Sequence, residues 1–276
     1  MKRKLFGSEI EIILPEMDES LANEIIDEMY IEALRLEKIF NLYDKNSELS
    51  LLNKKRKLKV SNELLDVLKY SLNFCKLTKG KYDISMGKNI LRRKNLEKEI
   101  KLDCSYKDIK IEGKIVTLND ANLLIDLGSV AKGYITDKLI EFLKAKGIER
   151  GIIDSRGDIA FFGDKPWKIE IQHPRKKEET ICTLELTNCA VATSGDYNQF
   201  YGKFSKSHIL NQKEIISITV VAPTLVEADI YATVLFVLDM SEREAMIKKN
   251  KSIKVFTIDT SLNIEKYNQF GEFICK

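Results

Sequence analysis

The chain has 276 residues, 44% hydrophobic and 32% charged, which is the composition of a globular protein with a sizeable core. Its 45 basic and 42 acidic residues leave a net charge of +3, so charge does not favour nucleic acid or an anionic membrane as a partner. No apolar run is long enough for a transmembrane helix, and charges follow the N-terminus too soon for a signal peptide. We therefore expect a cytoplasmic protein. The five cysteines form no CxxC pair, which argues against a disulfide framework and a zinc site.

Hydrophobic periodicity and turn residues predict alternating helices and strands along the chain. Strands are expected at 9–14, 58–60, 109–117 (a hairpin), 151–159 (two strands joined by a tight turn), 167–172, 180–186, 190–193, 214–222, 253–258 and 270–274. Helices are expected from Ser20 to Phe40, from Ser61 to Gly80, from Val130 to Gly147, after Thr224, and after Ser241. The stretch 88–101 is interpreted as a solvated connection. In the polar loop 41–50, Tyr43 is expected either at a ligand edge or as a half-buried anchor.

The stretch from Ile125 to Tyr134 is expected to run from a short strand through a Gly-Ser turn into a helix. Such a junction points free backbone N–H groups and the positive end of the helix at a ligand, which suits a phosphate. Asp126 suits a metal or a ligand hydroxyl, and Lys132 suits a phosphate. The alternative is an ordinary helix start, with Ser129 as N-cap and Lys132 in solvent.

A second informative stretch follows the capping-box pair Thr224 and Glu227. The helix that begins there is apolar nearly all round, yet it carries Asp229 with Thr233 one turn later on the same face. A buried carboxylate needs a partner, so either Lys132 or a metal is expected beside Asp229. The alternative for Thr233 is a hydrogen bond to the carbonyl one turn back.

The chain has two histidines. His208 is interpreted either as a general base or as an edge-strand imidazole, and His173 as structural. The adjacent Tyr82 and Asp83 directly follow a helix stop, where an exposed loop carboxylate is the alternative to a functional one.

Three segments resemble the signature motifs of the FAD:protein FMN transferases, the ApbE family. These segments are Asp126–Tyr134, Ala192–Tyr197 and Ala228–Thr233. Supporting similarities are found in Phe6-Gly7-Ser8, in Ser47–Asn53 and in Gly80–Asp83, in the order and at the spacing of the family.

The resemblance implies one α+β unit over residues 1–276, with mixed and antiparallel sheets packed against helices. It also implies Mg²⁺-dependent transfer of FMN from FAD to a Ser or Thr hydroxyl of an acceptor flavoprotein, with release of AMP. By position, the flavin nucleotide would contact Phe6, Tyr43, Lys81, Tyr82, Asp83, Asp126, Lys132 and Ile209. The metal would be bound by Ser129, Asp229 and Thr233, and His208 would be the base. No nucleic acid and no membrane insertion are implied.

Two departures from the family pattern are visible. Family members usually carry Gly-Gly-Asp where this chain has Arg156-Gly157-Asp158, and they carry an Asp-Pro turn where this chain has Asn211-Gln212. The second departure bears on the orientation of His208. Two alternatives to the transferase therefore remain at this stage, which are a Mg²⁺-dependent FAD pyrophosphatase producing FMN and AMP, and a flavin-binding module without chemistry.

Overall fold

The computed structural model describes residues 1–95, 97–176, 178–196 and 215–275. Its helices are α1 (Glu19–Phe40), α2 (Glu48–Lys55), α3 (Asn62–Leu77), α4 (Gly87–Lys94), α5 (Ala131–Ala145), α6 (Leu225–Val237) and α7 (Met240–Lys249). Its strands are β1 (Lys2–Leu5), β2 (Ser8–Ile13), β3 (Lys57–Lys59), β4 (Ile109–Glu112), β5 (Ile115–Leu118), β6 (Gly151–Asp154), β7 (Ile159–Phe162), β8 (Trp167–Gln172), β9 (Thr180–Leu186), β10 (Ala190–Gly195), β11 (Ile215–Ala222), β12 (Lys254–Asp259) and β13 (Ile264–Tyr267). No helix in the described ranges is both long and apolar enough to cross a membrane.

The chain forms two compact units, which we describe separately. The sheet unit comprises residues 1–30 and 132–276, and the helical unit comprises residues 31–131. An eight-stranded sheet in the order β1-β2-β6-β7-β10-β11-β12-β13 dominates the sheet unit, and its neighbouring strands pair antiparallel. The chain is thus an α+β protein with antiparallel sheets, as the sequence predicted.

The core of the sheet unit lies around β11 and the β8–β9 hairpin. Every residue of β11 is buried, which explains why its sequence is apolar almost throughout instead of alternating. Leu184 and Leu186 of the hairpin belong to the same apolar cluster as Phe161, Phe256 and Phe270. The hairpin is therefore fixed to the main sheet by a shared hydrophobic core.

Helices α2 and α3 of the helical unit each begin with a serine N-cap. Ser47 Oγ accepts the Ser50 N–H at 3.1 Å, and Ser61 Oγ accepts the Leu64 N–H at 3.2 Å, so each side chain satisfies a free amide of the first helical turn. The periodicity of the α3 segment predicts an inner face of five residues, all of which are buried: Leu64, Leu65, Leu68, Leu72 and Cys75.

The periodicity of the α1 segment predicts a buried stripe that is confirmed in its second half and wrong in its first; its expected members are Leu21, Ile25, Met29, Ala33, Leu36 and Phe40. Met29 and Ala33 are buried, but Leu21 is 49% exposed, and Ala22 and Ile26 take the inner positions. The buried positions recur every 3.6 residues on average, whereas the expected stripe used wider steps and drifted around the helix.

Two predicted loops are helical instead. The expected loop 41–50 gives way to α2 from Glu48, and the expected connection 88–101 contains α4. Each of these helices has eight residues, about two turns, which is too short for a periodic pattern to stand out.

Two strand predictions were also wrong. The expected strand at 270–274 is a short 3₁₀ helix, Phe270–Phe273. The expected strand at Ile125 forms no ladder, because the Asn53 side chain takes both of its backbone groups, at 2.8 Å from the N–H and 3.0 Å from the carbonyl. Strand β1, which the sequence analysis did not predict, pairs with β2 at the edge of the large sheet.

Helices α5 and α6 approach closely within the sheet unit. A Cβ added at Gly133 would lie 2.6 Å from the Leu225 carbonyl oxygen and from Val226 Cα, so glycine is required by backbone contact. On the same helix, the Asp137 carboxylate accepts the N–H groups of Leu225 and Val226, both at 2.8 Å. Gly133 thus permits the close contact of the two helices, and Asp137 adds two hydrogen bonds across it.

We expect Gly133→Ala to destabilise the protein by about 1–3 kcal/mol, because rigid backbone must move to admit the methyl group. This loss outweighs the gain in helix propensity of alanine over glycine, about 1 kcal/mol. Denaturant unfolding measures it. The matched control is Gly271→Ala, whose Cβ would meet nothing nearer than 3.8 Å. Equal stability of the two variants would contradict the close approach of α5 and α6.

Candidate functional site

Lys132 lies at the beginning of α5 and pairs with Asp158. The Lys132 ammonium donates to Asp158 Oδ2, and the two side chains are 33% and 9% exposed. Asp158 Oδ1 also lies 3.4 Å from the Thr193 N–H of β10. Asp158 comes directly before β7, after the Arg156-Gly157 turn. The sequence analysis did not assign it a role, and its position in the tight turn was the available signal.

Asp229 projects from α6 and is 6% exposed, which confirms the predicted buried carboxylate. Its Oδ2 atom accepts no hydrogen bond from any described residue. Burial raises the pKa of Asp229, while the nearby charge of Lys132 and the Gly133 amide oppose that rise. Lys132 is therefore one cation near Asp229, and the predicted metal there stays a prediction.

The Lys132 ammonium stays charged in this surrounding. Burial alone would lower its pKa, but the charges of Asp229 and Asp158 outweigh that effect and raise it. One ammonium thus lies among two carboxylates, and an oxygen of one carboxylate is left unpaired. The unpaired Asp229 oxygen leaves this cluster with capacity for a further cation.

Thr233 lies one turn after Asp229, and its Oγ1 atom is 3.5 Å from Ser194 Oγ of β10. Among the described residues its hydroxyl makes no bond to the carbonyl one turn back, so the alternative prediction is wrong. A buried unpaired carboxylate oxygen with a hydroxyl on the same helix face is the hard oxygen donor set that Mg²⁺ prefers. No cluster of three His, Cys, Asp or Glu side chains suited to a metal occurs in the described ranges, so a transition-metal centre is not indicated there.

In the helical unit, Tyr82 and Ser129 meet. The Tyr82 hydroxyl lies 2.9 Å from Ser129 Oγ, and the Tyr82 ring is 6% exposed. Asp83 accepts the Ser85 N–H at 2.8 Å and the Tyr106 N–H at 3.0 Å, so it organises the turn after α3. Asp83 is therefore a bonded carboxylate of this turn, and its predicted contact with the flavin nucleotide stays a prediction.

Asp126 also belongs to the helical unit and is 9% exposed. Its Oδ1 atom accepts the Gly128 N–H at 2.6 Å, which closes the turn before Ser129. Lys81 and Tyr43 lie on the surface of the same unit, and Tyr43 exposes 64% of its area. The prediction of Tyr43 as a half-buried anchor is therefore wrong, and the ligand-edge prediction stays open.

Phe6 belongs to the sheet unit and lines a small pocket there together with Ser8, Lys132 and Arg156. It occupies the turn between β1 and β2. Two predicted residues, His208 and Ile209, lie outside the described residues, as do Asn211 and Gln212. Their roles stay predictions.

The sequence analysis also missed the partner of Asp196. The guanidinium of Arg175, from the β8–β9 loop, donates to both oxygens of Asp196 at 2.7 and 2.8 Å. A bidentate pair of this kind fixes a carboxylate in place and occupies its lone pairs. Asp196 is thus an anchored side chain at the end of β10.

The ApbE family model matches residues 6–257, and the chain therefore belongs to the ApbE family. It is 26% identical over 267 residues to the FAD:protein FMN transferase of Vibrio cholerae, across 85% of this chain and 80% of that protein. It is 23% identical over 283 residues to the FAD:protein FMN transferase of Escherichia coli, across 90% and 81% of the two chains.

Solved structures show the same fold. The structure of the ApbE protein from Thermotoga maritima has a TM-score of 0.85 and 21% identity, covering 100% of this chain and 99% of that one. The structure of the flavin transferase ApbE from Vibrio cholerae has a TM-score of 0.81 and 25% identity, covering 99% and 98%. The α+β architecture is thus that of the family along the whole chain.

Asp137 should make the unfolding free energy of the protein depend on pH. Burial raises the pKa of Asp137 to about 6 from its ordinary 3.8, and the two α6 amides oppose the rise. Between these values the folded state binds more protons than the unfolded state, so this group adds to stability as pH falls. We expect the unfolding free energy of the parent to increase relative to Asp137→Asn between pH 7 and pH 4.

That relative increase amounts to at most about 3 kcal/mol. Denaturant unfolding of both proteins at several pH values measures it, because the other carboxylates titrate in both and cancel. A stability difference that does not change with pH would contradict the raised pKa of Asp137.

Proposed function

We propose that this protein transfers FMN from FAD to a Ser or Thr hydroxyl of an acceptor flavoprotein and releases AMP, with Mg²⁺ as its metal. The membership in the ApbE family and the names of the relatives support the reaction. The single observation that carries the proposal is the buried Asp229 carboxylate, whose Oδ2 is unpaired among the described residues and which lies near Lys132.

The donor set fits the proposed metal. Asp229 and Thr233 would hold Mg²⁺ from α6, and the resemblance adds Ser129 as a third ligand. When bound, Mg²⁺ supplies positive charge that stabilises the phosphate oxygens of the substrate during phosphoryl transfer. The unpaired Asp229 oxygen beside Thr233 is available to such a cation before the nucleotide is bound.

The chain's own residues carry the rest of the chemistry. Lys132, oriented by Asp158, presents a charged ammonium at the start of α5, where a phosphate is favoured. Contacts to FAD by Phe6, Tyr43, Lys81, Tyr82, Asp83, Asp126 and Ile209 stay predictions from the resemblance. His208 is the proposed base that removes the proton from the acceptor hydroxyl, and a cytoplasmic location is also retained as a prediction.

The two alternatives differ from this proposal in what receives the flavin. A pyrophosphatase would use the same site with water as acceptor, and a binding module would hold FAD without releasing AMP. The decisive experiment incubates the protein with FAD and Mg²⁺, with and without candidate acceptor domains. AMP release with flavin-labelled acceptor supports the transferase, AMP without labelling supports the pyrophosphatase, and bound FAD without AMP supports the binding module.

We expect Asp229→Asn to abolish AMP release and the stabilisation of the protein by Mg²⁺. In the parent, Mg²⁺ at 100 times its Kd should add about 2.7 kcal/mol of stability, which thermal unfolding detects without any activity assay. Without Mg²⁺ the variant should be about as stable as the parent, because Lys132 keeps Asp158 as its partner and burial disfavours the Asp229 charge that the change removes. The control is Glu185→Gln, an exposed carboxylate of β9. A full Mg²⁺ response in Asp229→Asn would contradict the metal-binding role.

We expect His208→Asn to retain FAD and Mg²⁺ binding while turnover falls by roughly 10²–10⁴-fold, the usual contribution of a general base. Flavin transfer at saturating substrates gives the rate, and flavin fluorescence gives the binding. Changing Asn211 to Asp together with Gln212 to Pro should accelerate the parent but leave the His208 variant inactive. Transfer at the parental rate by His208→Asn would rule out this histidine as the base.

A further inference from the structure

Two tight turns with the same backbone geometry line the pocket that Lys132 enters. Phe6 and Gly7 connect β1 to β2 with φ values of 49° and 71°, and Arg156 and Gly157 connect β6 to β7 with φ values of 66° and 85°. The strands on either side pair directly, as Leu5 opposite Ser8 shows. Two-residue hairpin turns with both φ values positive strongly prefer glycine, asparagine or aspartate.

The backbone therefore does not favour arginine at position 156. A non-glycine residue in the left-handed region carries a conformational cost, and a long side chain does not stabilise the turn in return. The turn is closed by other groups, because Ser155 N–H donates to the Asp158 carbonyl at 2.8 Å and Gly157 N–H donates to Asp154 Oδ1 at 2.6 Å. The side chain of Arg156 is thus free of any part in forming the turn.

The Arg156 side chain is exposed at the pocket and has no ion-pair or hydrogen-bond partner among the described residues. Its positive charge is near enough to act on Lys132, an unfavourable interaction between two cations. Arginine presents several N–H donors in a planar fork that matches the oxygens of a phosphate. An uncompensated guanidinium in a pocket is therefore suited to bind an anion.

The charged groups near Lys132 determine the net charge that an anion would meet in this pocket. Asp158 and Asp229 already match the Lys132 ammonium, so these three groups alone give the pocket no net positive charge for a phosphate. Arg156 brings the four groups to neutrality and supplies a cation that no carboxylate of the described residues holds.

We propose that Arg156 is a second cationic contact for a phosphate of the substrate dinucleotide, and that it makes this protein select phosphorylated flavins over unphosphorylated ones. The inference rests on the proposed function, since FAD is the ligand. Lys132 supplies a point charge on one side of the pocket, and the Arg156 guanidinium binds two phosphate oxygens on the other. Arg156 acts in binding and takes no part in proton transfer.

The test compares Arg156→Gly, Arg156→Lys and the parent in equilibrium binding of FAD, FMN and riboflavin, followed by flavin fluorescence in EDTA. Arg156→Gly should raise the Kd for FAD by roughly 10- to 100-fold, the effect of losing a hydrogen bond to a charged group. Its Kd for riboflavin, which has no phosphate, should not change. The Kd of Arg156→Lys for FAD should lie between those of the parent and of Arg156→Gly, because lysine keeps the charge but lacks the planar fork of donors.

Thermal unfolding separates binding from folding in the same variants. Arg156→Gly should melt at or above the Tm of the parent, because glycine adopts the left-handed conformation without cost. The control for non-specific charge is Lys168→Gln, an exposed cation on β8, which should bind FAD as the parent does.

Three results would overturn the inference. An unchanged FAD affinity of Arg156→Gly, in a parent that binds FAD, refutes it and leaves the proposed function standing. An equal loss of FAD and riboflavin affinity refutes phosphate selection. A parent that binds no FAD refutes the proposed function and this inference together.

Discussion

The hydrogen bonds from the first amides of α6 to Asp137 are the constraint on which the site region depends most. A helix N-terminus leaves amides without partners, and here a carboxylate from α5 supplies them. Because Lys132 lies on α5 and Asp229 on α6, this one contact sets how the two charged side chains face each other. Gly133 permits it, since any side chain there would meet the α6 backbone. The charge cluster is therefore preorganised by structural residues.

The cluster around Lys132 is not fully satisfied by the described residues. An ammonium shared between Asp158 and Asp229 leaves one buried carboxylate oxygen unsatisfied, and such an oxygen costs free energy in the absence of a partner. Structural ion pairs usually satisfy both members, as Arg175 and Asp196 do with two bonds. Asp196 is thus fully anchored, whereas Asp229 in the same unit keeps one oxygen without a hydrogen bond from the described residues.

What the sequence predicted well was local. The cap at Thr224 and the buried carboxylate Asp229 depend on residues within one or two helical turns, so the pattern of neighbours was sufficient. The contacts that it did not predict are tertiary contacts between residues far apart in the sequence. Asp158 pairs with Lys132 across 26 positions, and the Asn53 side chain replaces a strand partner of Ile125 across 72 positions. No periodicity encodes such pairs, because the intervening chain decides whether the two groups meet. The family resemblance supplied the residue roles that local physics left open.

The order of residues in the two units has a consequence for synthesis on the ribosome. Strand β2 pairs with β6, as in Glu11 opposite Asp154, so the sheet unit is interrupted by the whole helical unit. At roughly 5–20 residues per second, the first hairpin waits many seconds for its neighbour to be made. The helical unit is continuous in sequence and can fold meanwhile. During that interval β2 is an edge strand with an uncovered apolar face, and its exposed Glu9 and Glu11 side chains provide charge that opposes pairing with other chains.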